Sequence, residues 1–600
     1  MEITIQNFRD VLSELDNHLQ HATFICIDAE FTGLNSAPDT GPFDTLAQYY
    51  TKLRTGSMSF LLVQFGLSLF TYNSDTKKYS QRSYTFYVFP KQLNYRAPDC
   101  RFMCQASSIA FLASQNFDFN KLFKHGIPYL NINEEEKLIK RMEERQRQKE
   151  EYNDAVIPIS DTDKPQIEEI CSKIEDFLAS DKEELTIERC NKFMRRLIYQ
   201  EAKNRWPDKV RIESKIENTW QCLSVQKVGT KEQEEAKENQ RREKEKLEFD
   251  QAVGVSNLLK KVLNSGKTIV GHNMLLDLCH IIRQFVTPLP ADYSEFKNLV
   301  HDLFPSLLDT KVICQSQPFK EHISPSSTNL NTLLKIMSKP PFSIPDVEPI
   351  EGCSYSISTE KLHEAGYDAY ITGLCFIALS NYLGTIKQSE DAADEVLADS
   401  SLLKPFLNKL PVSRLRDVPY MNLVGKDPKP SRDHVFHITF PKEWKHTDIN
   451  QLFSPYGGVQ ISWLTNTTAY VALFRRENTR EVMNALSKET VCTIQTYLDY
   501  QASLSASGVC CEDRKRKLPV GNALDDAIAG KSGNGATPTS STISLPSLSS
   551  NLSKRSSLSI STEVSNDGWE IATGKRRKKR REQNVEVASS RAFAENDAWK

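Results

Sequence analysis

Residues 23–30 read Thr-Phe-Ile-Cys-Ile-Asp-Ala-Glu, and residues 31–34 continue Phe-Thr-Gly-Leu. The apolar run Phe24-Ile25-Cys26-Ile27 has the length of a buried strand. Side chains two apart share one face of a strand, so Asp28 and Glu30 project together from its end. Two carboxylates held side by side repel, and a divalent cation reverses that penalty. Such pairs also occur at solvated strand ends, so this one takes its meaning from what accompanies it.

Working outward, residues 58–70 (MSFLLVQFGLSLF) and 83–90 (SYTFYVFP) are rich in aromatic and branched residues and read as two more strands. A fourth, Lys267 to Val270, runs into Gly271-His272-Asn273, and a long apolar helix spans Ala365 to Leu383. Early strands, a buried strand far downstream and an apolar helix describe an α/β domain. The gap between its halves exceeds an ordinary loop, so a segment is inserted. Two charge-dense stretches, Glu134–Glu151 and Lys231–Asp250, bracket it. They pair opposite charges at helical spacing (Glu136/Lys140, Glu143/Arg147, Glu238/Arg242) and read as solvated stalks. Between them, Ile167, Ile170, Ile174, Phe177 and Leu178 form a helical stripe. Ile187, Cys190, Phe193, Met194, Leu197 and Ile198 repeat the pattern over 186–203, and 210–225 reads as strands.

At 600 residues and 68.3 kDa the chain exceeds one ordinary domain. Its 76 Lys+Arg against 78 Asp+Glu exclude polyanion binding by bulk charge, so any nucleic-acid surface must be a local patch. No run of eighteen apolar residues occurs, so no membrane span is expected, and acids throughout Met1–Gln20 argue against a secretory leader. The 13 cysteines are scattered without a CxxC pair, which suggests reduced thiols and no zinc ribbon.

Two further elements carry acids. Gly271-His272-Asn273-Met274-Leu275-Leu276-Asp277 takes a strand through glycine into a helix whose first turn holds Asp277, and His272 reads as a structural imidazole. His363-Glu364-Ala365-Gly366-Tyr367-Asp368 opens the apolar helix with Asp368, five residues after His363. Singly, each is an acid favoured by a helix dipole. Together, four carboxylates and a His-x-x-x-x-Asp in this order resemble the DEDDh exonucleases of the ribonuclease-H-like fold. That resemblance implies two Mg²⁺ ions held by Asp28, Glu30, Asp277 and Asp368, with His363 accepting the proton of the attacking water. The chemistry is consistent: hard oxygen ligands suit Mg²⁺, and two ions can clamp the attacking and leaving oxygens of a phosphodiester. A neutral imidazole accepts a proton near pH 7.

Over longer stretches (Asp-Ala-Glu-Phe-Thr-Gly-Leu, Val-Gly-His-Asn-Met-Leu-Leu-Asp, Leu-Leu-Asp-Thr-Lys, His-Glu-Ala-Gly-Tyr-Asp-Ala-Tyr-Ile-Thr-Gly) residues 1–505 are similar to the cap-interacting deadenylase branch of that family. The resemblance implies a nuclease domain in two parts, 1–160 and 240–386, around an inserted domain at 161–239. The latter is similar to the R-three-H single-strand-binding module, though Tyr199 and Gln200 follow Arg195 and Arg196 where histidine would stand. A linker at 387–432 precedes a domain at 433–505 resembling an RNA-recognition motif, in which Thr467 and Leu473 stand where aromatics stack bases. On the same likeness Phe31 and Lys311 contact the adenosine-rich 3′ end, and Trp463 stacks on the 7-methylguanosine cap. Shortening of poly(A) with release of 5′-AMP, and a homodimer, are further implications. Residues 506–600 are Ser-, Thr-, Asn- and Gly-rich and read as a disordered tail. Its basic runs, Arg514–Lys517 and Lys575–Arg581, fit residence in the nucleus as well as the cytoplasm. Two alternatives stand beside this reading: a DNA-directed 3′→5′ exonuclease, and a catalytically silent RNA-binding scaffold.

Overall fold

The computed structural model describes residues 1–506 apart from 36–39, 92–99, 155–156, 188–190, 208, 218–219, 229–230, 360 and 388–395. Residues 507–600, with both basic runs of the expected tail, lie outside the described residues.

The apolar run that opens the argument becomes β2 (Phe24–Phe31) within a seven-stranded sheet. The other strands are β1 (Glu2–Ile3), β3 (Leu62–Asn73), β4 (Lys78–Tyr87), β5 (Thr268–Gly271), β6 (Leu307–Asp309) and β7 (Val347–Pro349). Their order is β1-β4-β3-β2-β5-β6, with β7 also pairing β4. β2, β3 and β4 run antiparallel, while β5 and β6 extend the sheet parallel to β2. Both faces are covered, so β2 reads as a near-continuous apolar run. Ile25, Ile27 and Ile269 share a core with Leu275 and Leu278 of α1 (Leu275–Ile281). Phe24, Cys26, Val270 and Leu308 share the opposite core with Ile371 and Leu374 of α2 (Ala365–Lys387). By length and composition α2 could cross a membrane, but here its apolar surface is spent against the sheet.

Two glycines let α2 come close. Gly66 pairs with Asp28 across β3 and β2, and a Cβ there would meet the Ala365 carbonyl oxygen at 2.0 Å. A Cβ on Gly366 would meet Thr85 Oγ1 at 2.2 Å. This close approach brings the first turn of α2 over the end of β2.

The described structure departs from the sequence reading in several places. The second and third strands form a hairpin shifted inward to 62–73 and 78–87, because polar Thr71, Tyr72 and Asn73 continue the ladder up to the turn. β1, β6 and β7 were not anticipated, being two or three residues long. Of the stretch expected to be a linker, 387–432, the described residues from 396 on pack onto the nuclease core. Val396, Leu403 and Phe406 join the core under α2, and Leu410, Val412 and Met421 join the other. A ribbon of Lys409–Pro411 paired with Tyr420–Asn422 holds this segment in shape.

The inserted unit has its own core around Ile167, Ile174, Leu197, Leu223 and Val225. Its first stripe is the helix Lys164–Ala179. The second, expected over 186–203, is divided. Ile187 ends a strand, Glu184–Ile187, that pairs with Leu223 and its neighbours. The helix starts only at Lys192, where the Asn191 side chain accepts from Met194 N. Cys190 lies outside the described residues, and Phe193 is exposed. The charge-dense stretches are helices Ile132–Asp154 and Lys231–Val253, rooted by a small core of Leu130, Leu138, Ala252 and Val253.

The C-terminal domain forms a four-stranded antiparallel sheet in the order 459–465, 468–473, 435–439, 493–496. Helices His446–Phe453 and Thr479–Leu486 pack on one face through Phe436, Ile438, Val471 and Leu473. Leu473 therefore points into the core, not toward a base. The opposite face carries Val435, His437, Tyr470 and Ala472. It is covered by the helix Tyr497–Ala506 and by Phe43 from the nuclease domain.

Candidate active site

The end of β2 opens into a cavity lined by Asp28, Glu30, Phe31, Leu34, His272, Asn273, Asp277, Leu330, Asn331, His363 and Asp368 among others. All four carboxylates expected from the sequence thus meet, with His363 beside them. Asp28 and Glu30 share a face of β2, Asp277 comes from the first turn of α1 and Asp368 from the first turn of α2. Glu30, Asp277 and Asp368 are buried. Lysine and arginine are absent from the described lining.

The electrostatics are those of an acid cluster lacking its counter-charge. Loss of hydration pushes the Asp28 carboxyl well above its ordinary range, and the charges of Asp368, Asp277 and Glu30 push it further. Burial raises Glu30 likewise, aided by Asp368 and Asp277. Asp277 is raised to about 7, mainly by burial. Glu30 Oε2 is buried with no hydrogen-bond partner among the described residues. An orphaned carboxylate oxygen in such a site calls for a cation. Ligand atoms of Glu30, His363 and Asp368 lie within 4.8 Å of one another, close enough to hold a divalent ion.

Local structure explains how the helices deliver these acids. Asp309 ends β6 and is fully buried. Its carboxylate accepts from Asn273 N at 3.0 Å, Met274 N at 2.9 Å and Lys311 N at 2.9 Å. It ties down the turn between β5 and α1, where Asn273 takes a positive φ of 62°. On the other side, Gln64 Oε1 accepts from Ala365 N at 2.9 Å, and Asp368 Oδ2 accepts from His363 N at 3.1 Å. His363 has a φ of 67° and lies edge-on to Phe111, with ring centroids 4.8 Å apart. Asp309, Gln64 and His272 were not picked out as site residues from the sequence. His272 and Asp309 stand where an apolar strand ends, a signal the sequence carries, whereas Gln64 lies near the start of β3 and carries none.

The expected RNA-contacting residues are placed differently from one another. Phe31 lines the cavity wall, but its ring is buried and packs on His280 with centroids 4.7 Å apart. Burial holds that histidine neutral, pushing it down to about 3. Lys311 is on the short helix Thr310–Cys314, and the described cavity lining does not include it. Trp463 is far along the chain on the edge strand of the C-terminal sheet, 40% exposed, with Phe440 edge-on at 5.1 Å.

A mixed sheet whose inner strand presents paired acids to two helix starts is the framework of a ribonuclease-H-like phosphodiesterase that works with divalent metal. The model of the CAF1 family ribonucleases matches residues 3–376, and that of an RNA-binding domain matches residues 425–503. The chain is 42% identical over 516 residues to poly(A)-specific ribonuclease of Xenopus laevis, covering 83% of this chain and 81% of that protein. It is 44% identical over 517 residues to the Homo sapiens protein of the same description, covering 83% and 80%. The Mg²⁺- and Mn²⁺-bound structure of S. pombe Pop2p is a distant likeness: TM-score 0.31 at 14% identity, over 67% of this chain and 98% of that one. The chain belongs to the CAF1 ribonuclease family and, within it, groups with the poly(A)-specific ribonucleases.

Proposed function

We propose that the chain is a 3′→5′ exoribonuclease that shortens poly(A) tails and releases 5′-AMP. The observation that carries this reading is the convergence of four buried or half-buried acids on one cavity, with an oxygen of Glu30 left without a partner. Asp28, Glu30, Asp277 and Asp368 would hold two Mg²⁺ ions. Bound there, the ions would neutralise the acids and the charge that develops on the phosphate oxygens.

The chain's own residues do the rest. Asp309 and Gln64 hold the two helix starts in place, so the acids are preorganised before substrate arrives. His363 takes the proton of the attacking water, held in line by its backbone hydrogen bond to Asp368 and by Phe111. The apolar walls at Phe31, Leu34 and Leu330 exclude bulk water from the reacting phosphate. Lys311 meets the phosphate chain beyond the cavity. The C-terminal domain brings the cap to Trp463, whose exposed face suits a methylated, positively charged base. The enzyme acts as a homodimer. The seven cations at Lys575–Arg581 support activity in the nucleus as well as the cytoplasm.

The test is a 5′-labelled RNA ending in adenosines, incubated with and without Mg²⁺ beside an all-deoxy version. A ladder shortened from the 3′ end, formed only with metal and only on RNA, is expected. Equal degradation of the DNA would indicate a DNA-directed exonuclease, and intact RNA would indicate a silent scaffold.

A further inference from the structure

The outward face of the C-terminal sheet is closed over Tyr470 and Ala472 by Phe43 and Tyr497. Alternate residues keep to one face, so Phe474 continues that row, while Leu473 between them points into the core. The ladder itself carries on, since Phe474 N donates to the Gly458 carbonyl at 3.0 Å. Phe474 stands beyond the cover, and its side chain is 60% exposed. Gly458 makes room for the ring, because a Cβ there would meet it at 2.8 Å.

Cations gather around this ring from two elements. Arg416 lies on the segment docked to the nuclease domain, where its backbone N donates to the Pro42 carbonyl at 3.0 Å. Its guanidinium carbon is 5.7 Å from the Phe474 ring centroid. Arg475 and Arg476 follow Phe474 in the chain, and the stem of Arg475 passes Gly457, where a Cβ would meet its Cδ at 3.3 Å. Burial, and then the charges of Arg476 and Arg416, hold the neighbouring His434 imidazole below its ordinary range, so these two cations converge on one place. Arg416, Arg475 and Arg476 are exposed, and none of them forms an ion pair among the described residues. Of the acids nearest in the chain, Asp417 pairs with Arg432 and Asp433 accepts from Ser431, which leaves Glu477 uncommitted against three arginines.

From this arrangement we infer that the uncovered end of the sheet face is a second RNA site. The ring of Phe474 stacks on a base, and Arg416, Arg475 and Arg476 take phosphates of the strand upstream of the cleft. The inference rests on the exoribonuclease reading above. An exposed ring among cations holds single strands without reading their sequence. The cleft creates the need for it: its described lining has acids but no lysine or arginine, so the polyanion beyond the reacting phosphate must be held elsewhere. The helix Leu46–Ser57 measures the way between the two places. At its end Ser57 Oγ donates to the carbonyl of Leu34, which lines the cavity, and before its start Pro42 accepts from Arg416. Its 12 residues span about 18 Å. A strand leaving the cleft along this helix reaches the patch within a few nucleotides.

The experiment compares substrate lengths. Wild type, Phe474→Ala and the double variant Arg475→Gln/Arg476→Gln are assayed on an adenosine trinucleotide, which ends short of the patch, and on a chain of twenty adenosines. Both variants should raise KM for the long substrate about tenfold with kcat unchanged, and should treat the trinucleotide as wild type does. Binding of the long oligomer in chelator, followed by fluorescence anisotropy, should lose salt dependence in the arginine variant. The slope of log affinity against log salt should fall by about 1.4, or about 0.7 for each phosphate contact removed. Arg475→Lys/Arg476→Lys should keep most of that slope. Damage to the fold would appear on the trinucleotide as well. An unchanged KM for the long oligomer in either variant overturns the inference and leaves the patch to an acidic protein surface, and an equal loss on both lengths overturns it too. If wild type leaves both oligomers intact, the broader reading fails instead.

Discussion

At the end of β2 four acids are gathered without a lysine or arginine in the described lining, whereas on the C-terminal sheet the outward face has been given protein partners. His437 stacks on Tyr500 at 3.6 Å, and Tyr470 meets Phe43 and Tyr497 at its edges. Arg432, nearly buried, donates to Asp417, to the backbone oxygens of Phe43 and Asp44, and to the Tyr497 hydroxyl. It joins the linker segment, the nuclease domain and the C-terminal helix in one network. The cleft is thus left with a cluster of like charges, whereas the sheet face is covered by protein side chains. The charged region is poised to take up a ligand, while the covered one serves as a joint. With that face covered, the cap contact proposed for the C-terminal domain falls to its edge strand, where Trp463 stands exposed.

Each side of this contrast can be broken. The largest effect is expected in the cleft. Asp28→Ala, Glu30→Ala, Asp277→Ala and Asp368→Ala should each lower kcat by about a thousandfold or more, and double variants should be little worse, because the residues act as a unit. Near-normal turnover in any one of them at saturating Mg²⁺ would remove that residue from the set.

Next comes the joint. Arg432→Met leaves the half-buried Asp417 opposite an apolar side chain, which should cost roughly 1–3 kcal/mol. Thermal unfolding should show the C-terminal domain separating into its own earlier transition. A single transition at the wild-type temperature would mean that Phe43 and the tyrosines hold the joint without the arginine.

The third prediction concerns charge in the metal-free cleft. Asp277 ionises at about 7 in the folded chain, against an ordinary 3.8. Between those values the folded state holds the extra proton, so the stability this group contributes is lost as pH rises from about 4 to about 7. In chelator, Asp277→Asn should therefore be more stable than wild type at pH 8, by roughly 2–4 kcal/mol, and nearly equal to it at pH 4. Urea denaturation at the two pH values measures this. A variant no more stable at pH 8 would show that the cluster is relieved in some other way.

The smallest effect lies at the sheet edge. Trp463→Ala should weaken cap-analogue binding about tenfold, since stacking on a base is worth about 1–3 kcal/mol, and should barely change hydrolysis of uncapped oligo(A). Fluorescence titration with methylated and unmethylated analogues decides it, and equal affinities for both would leave Trp463 as a packing residue on Phe440.

Much of the cleft was legible because its residues sit at boundaries that sequence reports well. An apolar strand ending in Asp-Ala-Glu, and two helices opening on Asp277 and Asp368, are local patterns with a definite facing rule. The short strands β1, β6 and β7 were not legible, since two or three residues have no periodicity. The segment at 396–423 read as a linker because its apolar residues are separated by prolines and charges. Only docking onto the finished sheet gives Leu410, Val412 and Met421 a place to be buried.

By itself, the sequence determined which residues could share a face of β2, where the helices carrying Asp277 and Asp368 begin, and that a unit is inserted between the two halves of the sheet. Periodicity, helix starts and composition are local properties, so local reading reaches them. The tertiary structure alone decided that His272 joins the acids, since its place depends on Val270 pairing with both Cys26 and Leu308. It alone decided that the C-terminal sheet face is closed, since Phe43 and Tyr470 are brought into contact from opposite ends of the chain. Register between distant strands and docking between domains depend on which surfaces meet, and that is settled only once the whole chain has packed.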